Sequence, residues 1–571
     1  MKTRLTPRSA SPCAAPLPAS PPFGGEERTG LSRKARILLP PESGGGRAGG
    51  HAKRGSLLAS LALFLAVSSS GRAGADPASL AGSSFAHAQR AANAIASLDF
   101  GLARSEILQG DHDDPAIAKE EGRLAAYEGR CDDALVSLGR PDVLSTESGA
   151  FLFDIARGCA RVTAATVVDT DETHSVVIRY QDENDRALTP LIVETVVAAR
   201  DAITRDLGVS WPKPTRITVV RDLMSLSAMT GLPLKSAQTT GTVAVAKWGR
   251  VTLLSPRASE HGYAWRDTVA HELTHLSITH ASAENAPLWL QEGMAKREEV
   301  RWRPPGPFDG RPSPDDIAAR GFELKLALPL DQLGPSIAML PSADAALVAF
   351  AEVTSFVRYL AATDPDVLRR LLASLRRKGD VDAALLESSG ADLHTWDTRW
   401  RAYLANETHA PLPPSIGLGG ASSDVHELRD RVRLAELLYG RSHPGPALTE
   451  LERVKASGKD DPSVESLRAH VLGALGRKAE GELEVKDPKG VGSSYGPWWA
   501  IRGRWEREDG QVDDADSSFV EAVATDPFDV ESACEMDDSA AALQDDSGPE
   551  TAARALCEAA KARHDPPLGT D

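Results

Sequence analysis

The chain has 571 residues, room for three or four domains of ordinary size, and at 42% hydrophobic and 25% charged it can build real cores. Its formal charge of -17 excludes the usual nucleic-acid binder, which needs a basic face to displace counterions. The charge is uneven: residues 1–54 carry +7, leaving -24 on the remainder.

That basic head is rich in Pro, Gly and Ser and has no amphipathic period, so it reads as a disordered leader or as sequence upstream of the true start. Residues 55–75 read as a signal peptide. Lys53 and Arg54 precede an apolar run from Leu57 to Val67, and Ala73-Gly74-Ala75 supplies small residues for cleavage before Asp76. The run is too short to cross a bilayer unaided, so an exported product is expected, periplasmic or extracellular, with no membrane span after cleavage. Cysteine usage agrees. Cys13 lies in the part to be removed, and Cys131, Cys159, Cys534 and Cys557 form two local pairs, 28 and 23 residues apart. We expect Cys131–Cys159 and Cys534–Cys557 disulfides; the alternative is four unrelated buried thiols. None has metal-ligand spacing.

Residues 76–165 are helical, with Ala and Leu at three- and four-residue spacing. Gly122, Gly129 and Ala134 there resemble the small positions of a tetratricopeptide repeat. From about Val167 the pattern changes. Residues 174–180 and 215–220 read as strands, and Thr189-Pro190 starts a helix running to about Leu207. Residues 242–246 and 250–254 read as a hairpin through Lys247-Trp248-Gly249. Helices over 264–280 and 287–299 follow, stopped by Pro304, Pro305 and Pro307, and a helical tail runs on to about Leu404. This 166–410 segment is expected to be an α+β domain, a small mixed sheet with helices. Residues 411–423 read as a linker. Residues 424–571 are helical again, with Gly440, Gly476 and Gly510 recurring at 36 and 34 residues. They too resemble tetratricopeptide repeats, most clearly around Trp499, Gly503, Gly510, Ala515, Phe519, Ala522 and Pro527; the alternative is a generic helical bundle.

The chemistry centres on His271-Glu272-Leu273-Thr274-His275. Two histidines four apart on a helix project from one face and can share one ion. Zinc suits two imidazoles plus a carboxylate, with a fourth position for water. Glu272, turned about 100° from His271, can serve as general base without ligating the ion. The motif alone is not decisive, so its setting matters. Val269, Leu273 and Leu276 can face a core, and the next helix carries Pro287-Leu288-Trp289-Leu290-Gln291-Glu292-Gly293-Met294-Ala295. Glu292, a carboxylate in apolar company, is the favoured third ligand, because burying it without a partner is costly. His280 fails the metzincin spacing, and Glu284 sits in a polar stretch. Asp267 is either a support for a ligand histidine or an ordinary first-turn acid, and the second reading is preferred.

Taken together, residues 174–404 resemble a peptidase MA-like domain of the gluzincin type. The resemblance rests on the two motifs above, on Val251-Thr252-Leu253-Leu254-Ser255 in front of them, and on Ala349-Phe350-Ala351-Glu352 through Leu360 behind. It implies His271, His275 and Glu292 as zinc ligands, Glu272 as catalytic base, and peptide or protein as substrate. It also implies that residues 250–255 form the edge strand to which an extended substrate adds. Many relatives carry Tyr where this chain has Phe350, a hydroxyl that can serve the oxyanion. Two other readings stand beside the peptidase. One is a peptide- or protein-binding scaffold whose helical repeats hold a partner around a weakly active or inactive domain; the other is a zinc hydrolase acting on a different bond.

Overall fold

In the computed structural model, five helices of eight or more residues precede the sheet among the described residues, Ser84–Ala96 (α1), Phe100–Gln109 (α2), Pro115–Tyr127 (α3), Cys131–Leu138 (α4) and Glu147–Thr163 (α5), with a single helical turn at Pro141–Leu144 between the last two. The structure describes residues 84–306, 309–412, 416, 418, 422–454, 458, 461–486, 495–542 and 549–564. The leader, the signal segment and most of the 411–423 linker lie outside these residues. Local chemistry explains the helix starts. Asp114 accepts the Ala116 N–H ahead of Pro115, and Thr146 accepts the Gly149 N–H at the head of α5. The Cys131–Cys159 disulfide joins α4 to α5, and Cys534 is bonded to Cys557. Both pairings match expectation.

Five strands form one mixed sheet: Val167–Asp171 (β1), Val176–Tyr180 (β2), Thr215–Val220 (β3), Ala244–Lys247 (β4) and Arg250–Leu254 (β5), in the order β1-β2-β3-β5-β4. β2, β3 and β5 run parallel, while β1 and β4 pair antiparallel at the two edges. This corrects one expectation. Arg250–Leu254 is an interior strand, buried at all five positions, and the edge is β4. Both of its faces are covered: Val251 and Leu253 lie in the main core, Leu254 packs with the Cys131–Cys159 pair, and the buried Arg250 donates to the Ala126 carbonyl. β1 was not legible, because Val-Val-Asp-Thr-Asp has little apolar content.

One face of the sheet is covered by Thr189–Leu207 (α6) and by Trp265–Ser282 (α9), which meets Val251 and Leu253. The other face meets α3, α5 and Leu223–Thr230 (α7); Leu254 and Val220 pack there with the Cys131–Cys159 pair. Leu234–Thr240 (α8) leads into β4. Past α9 come Leu288–Glu298 (α10), Pro314–Glu323 (α11), Ala343–Thr363 (α12), Val367–Lys378 (α13), Val381–Ser389 (α14) and Leu393–Asn406 (α15). α12 is long and apolar enough to cross a membrane, yet most of it is buried, as in the core helix of a globular domain. α10 crosses it at Gly293, where a Cβ would meet the Val353 carbonyl oxygen at 2.4 Å. That close approach holds Glu292 at a fixed height over α9.

The C-terminal segment is built of helices Ser422–Gly440 (α16), Pro444–Glu452 (α17), Pro462–Ala474 (α18), Lys478–Glu484 (α19), Gly496–Glu508 (α20), Val512–Thr525 (α21), Val530–Ala542 (α22) and Pro549–His564 (α23). The left-handed turn residues Ser442, Gly476 and Gly510 recur every 34 residues. The sequence count of 36 began from Gly440, which is still helical and lies two residues before the turn at Ser442. Residues 428–472 and 469–522 form apolar clusters of their own, but Val523, Phe528, Ala533, Leu556 and Ala560 join the core that also holds α1, the sheet and α9.

Candidate metal centre

α9 is buried on most of its circumference: Trp265, Val269, Leu273 and Leu276 lie in the core. The hydroxyls of Thr274 and Ser277, also buried, return their hydrogen bonds to the carbonyls of Ala270 and Leu273 at 2.9 and 3.0 Å. One strip remains accessible, and His271 and His275 occupy it, each about one-eighth exposed.

The two imidazoles and Glu292 converge. Nε2 of His271 and Nε2 of His275 stand 3.2 Å apart, and Glu292 Oε2 lies 3.5 and 3.4 Å from them. Neighbouring ligands around a tetrahedral zinc with bonds of 2.0–2.1 Å are separated by about 3.3 Å, so the triangle has the size of one such face. Among the described residues no other His/Cys/Asp/Glu group converges in this way. The three donors also interact with one another. Burial pushes the His271 pKa down, but hydrogen bonds to Glu292 and Glu299 and the charge of Glu272 outweigh it and lift the value to about 9. Burial would raise Glu292, yet the charge and hydrogen bonds of the two histidines bring it well below the usual carboxylate range. A positive imidazolium held against a carboxylate marks a place where a dication can replace the proton.

Glu272 is 7% exposed and stands beside this triangle, outside it. Burial raises its pKa, against the opposing charges of His271 and His275, and its carboxylate accepts the backbone N–H of Ala246 on β4. β4 therefore runs past the base. Its turn residues Trp248 and Gly249 both have positive φ, as in a type I′ hairpin, which makes Lys247 and Arg250 a hydrogen-bonded pair. The alternation then turns Val245 and Val243 inward, consistent with the Leu254 N–H donating to the Val243 carbonyl at 2.8 Å. Ala244 and Ala246 direct their main-chain groups away from the sheet.

Two further residues join the site unforeseen. Glu299 accepts from His271 Nδ1 at 3.1 Å, and Lys296 Nζ lies 2.7 Å from the other Glu299 oxygen. Burial would raise Glu299, but the Lys296 charge and the His271 hydrogen bond bring it to about 2. An ionised acceptor on Nδ1 fixes the tautomer that presents Nε2 to the centre. The spacing held the signal, since Glu299 is seven residues past Glu292 and Lys296 four, all near one helical face. Lys296 also sits 5.8 Å from the Phe350 ring centroid, placing Phe350 beside the site. Glu299→Gln is expected to weaken zinc binding by about 10- to 100-fold, read by chelator competition; an unchanged affinity would remove Glu299 from the site.

The remaining candidates are engaged elsewhere. His280 Nδ1 meets the Ser97 carbonyl at 2.8 Å. Glu284 feels the charge of Arg123. Asp267 takes Arg303 at 2.6 and 2.8 Å and the Trp302 indole at 2.9 Å, an ion pair at the head of α9.

Residues 198–406 match the family model of the Peptidase MA superfamily. The match contains His271, Glu272, His275, Glu292 and Glu299. No curated protein and no solved structure matches the chain.

Proposed function

We propose that this protein is an exported zinc-dependent peptidase of the gluzincin type, with His271, His275 and Glu292 as metal ligands and Glu272 as general base. The observation that carries the reading is the ligand triangle with sides of 3.2–3.5 Å, closed by residues from two helices and lying inside the superfamily match. The two disulfides fit an oxidising compartment. The flanking helices we read as tetratricopeptide-like repeats that hold a protein partner, with 166–410 as the peptidase domain between them.

A bound zinc would polarise the scissile carbonyl and make water acidic enough to lose a proton near neutral pH. Glu272, buried beside the triangle and outside it, takes that proton and delivers it to the leaving amine. The Ala246 N–H aims the carboxylate. Glu299, backed by Lys296, keeps the His271 ring in register. The substrate backbone lies along β4, where Ala244 offers both N–H and C=O and Ala246 offers C=O. The methyl side chains at 244 and 246 let the edge sit close to α9.

The reading is tested by metal analysis of purified protein together with casein hydrolysis by wild type and Glu272→Gln. Absence of bound zinc would sink the site, whereas stoichiometric zinc without hydrolysis would favour the binding scaffold. The edge has its own test. Ala244→Pro removes one outward N–H and leaves the β5 ladder intact. It is expected to raise KM for casein about 5- to 10-fold, the loss of one hydrogen bond, with zinc content unchanged. An unaltered KM would place the substrate elsewhere.

A further inference from the structure

The β4–β5 turn has an unusual composition. Type I′ turns favour Asn-Gly because both central residues need positive φ, yet here the first is Trp248, at φ 55. A bulky residue in that left-handed region is strained, so packing must hold its ring there. The ring packs 6.1 Å from that of Tyr127, the last residue of α3, and Tyr127 packs edge-on against Phe100 at 6.4 Å. Phe100, from α2, closes on the second turn residue: a Cβ on Gly249 would meet its Cζ at 2.4 Å. Beside them the buried Arg250 donates from Nη1 to the Ala126 carbonyl at 2.8 Å, at the negative end of α3. The tip of the hairpin is thus a plug seated in a socket made by the N-terminal helices.

We propose that the N-terminal helical segment positions the substrate edge: Tyr127 and Phe100 clamp the Trp248-Gly249 turn and so hold β4 against Glu272. This rests on the peptidase reading. β4 is four residues long and hydrogen-bonds to one strand only, so its free side has no ladder to hold it. Ala246, which donates to Glu272, is two residues from Trp248, about 7 Å along the strand. A shift at the tip therefore reaches the base and the outward groups of Ala244 and Ala246 together. Tyr127 and Phe100 are positioning residues that act through the turn.

The test compares Tyr127→Ala and Phe100→Ala with Ile117→Ala in the full chain. Ile117 is fully buried in α3 about 15 Å along the helix from Tyr127, so its truncation reports general destabilisation. Hydrogen exchange of residues 243–247, KM for casein, bound zinc and Tm are measured on each. The expected result is at least about tenfold faster exchange in 243–247 for Tyr127→Ala and Phe100→Ala, with KM raised about tenfold and zinc retained. Ile117→Ala lowers Tm and moves neither exchange nor KM. Exchange in 243–247 that is no faster in the clamp variants than in Ile117→Ala overturns the clamp. Wild-type protein that binds zinc but cleaves no casein overturns the peptidase reading instead, and the exchange comparison still decides the clamp.

Discussion

Glu272→Gln is expected to bind zinc as wild type does and to lose about 100- to 10,000-fold in kcat on casein, the usual contribution of a positioned general base. Glutamine keeps the shape of the side chain and can still meet the Ala246 N–H, but it cannot take a proton. The geometry makes the separation clean. Glu272 lies outside the ligand triangle, which His271, His275 and Glu292 close without it. Zinc content by metal analysis and turnover by casein hydrolysis should therefore part company in this variant. If kcat stays within a few-fold of wild type, Glu272 is not the base. If zinc is lost along with activity, the ligand set has been drawn wrongly.

Glu292→Gln is expected to do the reverse and release the metal. Structural zinc binding of ~10–16 kcal/mol spread over the donors makes one ligand worth about a thousandfold in affinity. The variant should also change how binding depends on pH. In the metal-free protein His271 holds a proton up to about pH 9, despite a burial that favours the neutral ring, because Glu292 and Glu299 bond to it. Zinc must displace that proton. Wild-type affinity should thus fall about tenfold per pH unit as pH drops below 9. In Glu292→Gln one of the two bonding carboxylates is gone, burial weighs more, and the His271 pKa moves down. The steep part of the profile should then shift to lower pH. Chelator competition between pH 6.5 and 9 reads both effects. A flat wild-type profile over that range would show that His271 is not protonated in the metal-free state.

The local features of the site were legible because they repeat over one or two helical turns. His271 and His275 share a face by their spacing of four, the helix of residues 189–207 announces its start with Thr-Pro, and a downstream carboxylate in apolar surroundings points to Glu292 as partner. The two cysteine pairs were legible from their closeness in sequence, each joining two helices across 28 or 23 residues. By the same logic Glu299 was within reach, seven residues beyond Glu292, but nothing in its polar neighbourhood distinguished it from a solvated acid.

Only the tertiary structure decided the order of the strands, since a hydrogen-bond ladder joins residues far apart in sequence. Both arms of the 242–254 hairpin are compatible with an edge by pattern; parallel pairing of β5 with β3 leaves that place to β4. The same holds for the N-terminal helices. Nothing in Phe100 or Tyr127 by itself points to Trp248, which lies more than a hundred residues away, and only packing brings the three rings together. Sequence by itself thus determined which side chains could hold a metal and on which helices they stand, because those relations are set by helical geometry over a few residues. The fold decided which strand faces the base and what holds that strand in place, because both depend on contacts between distant segments.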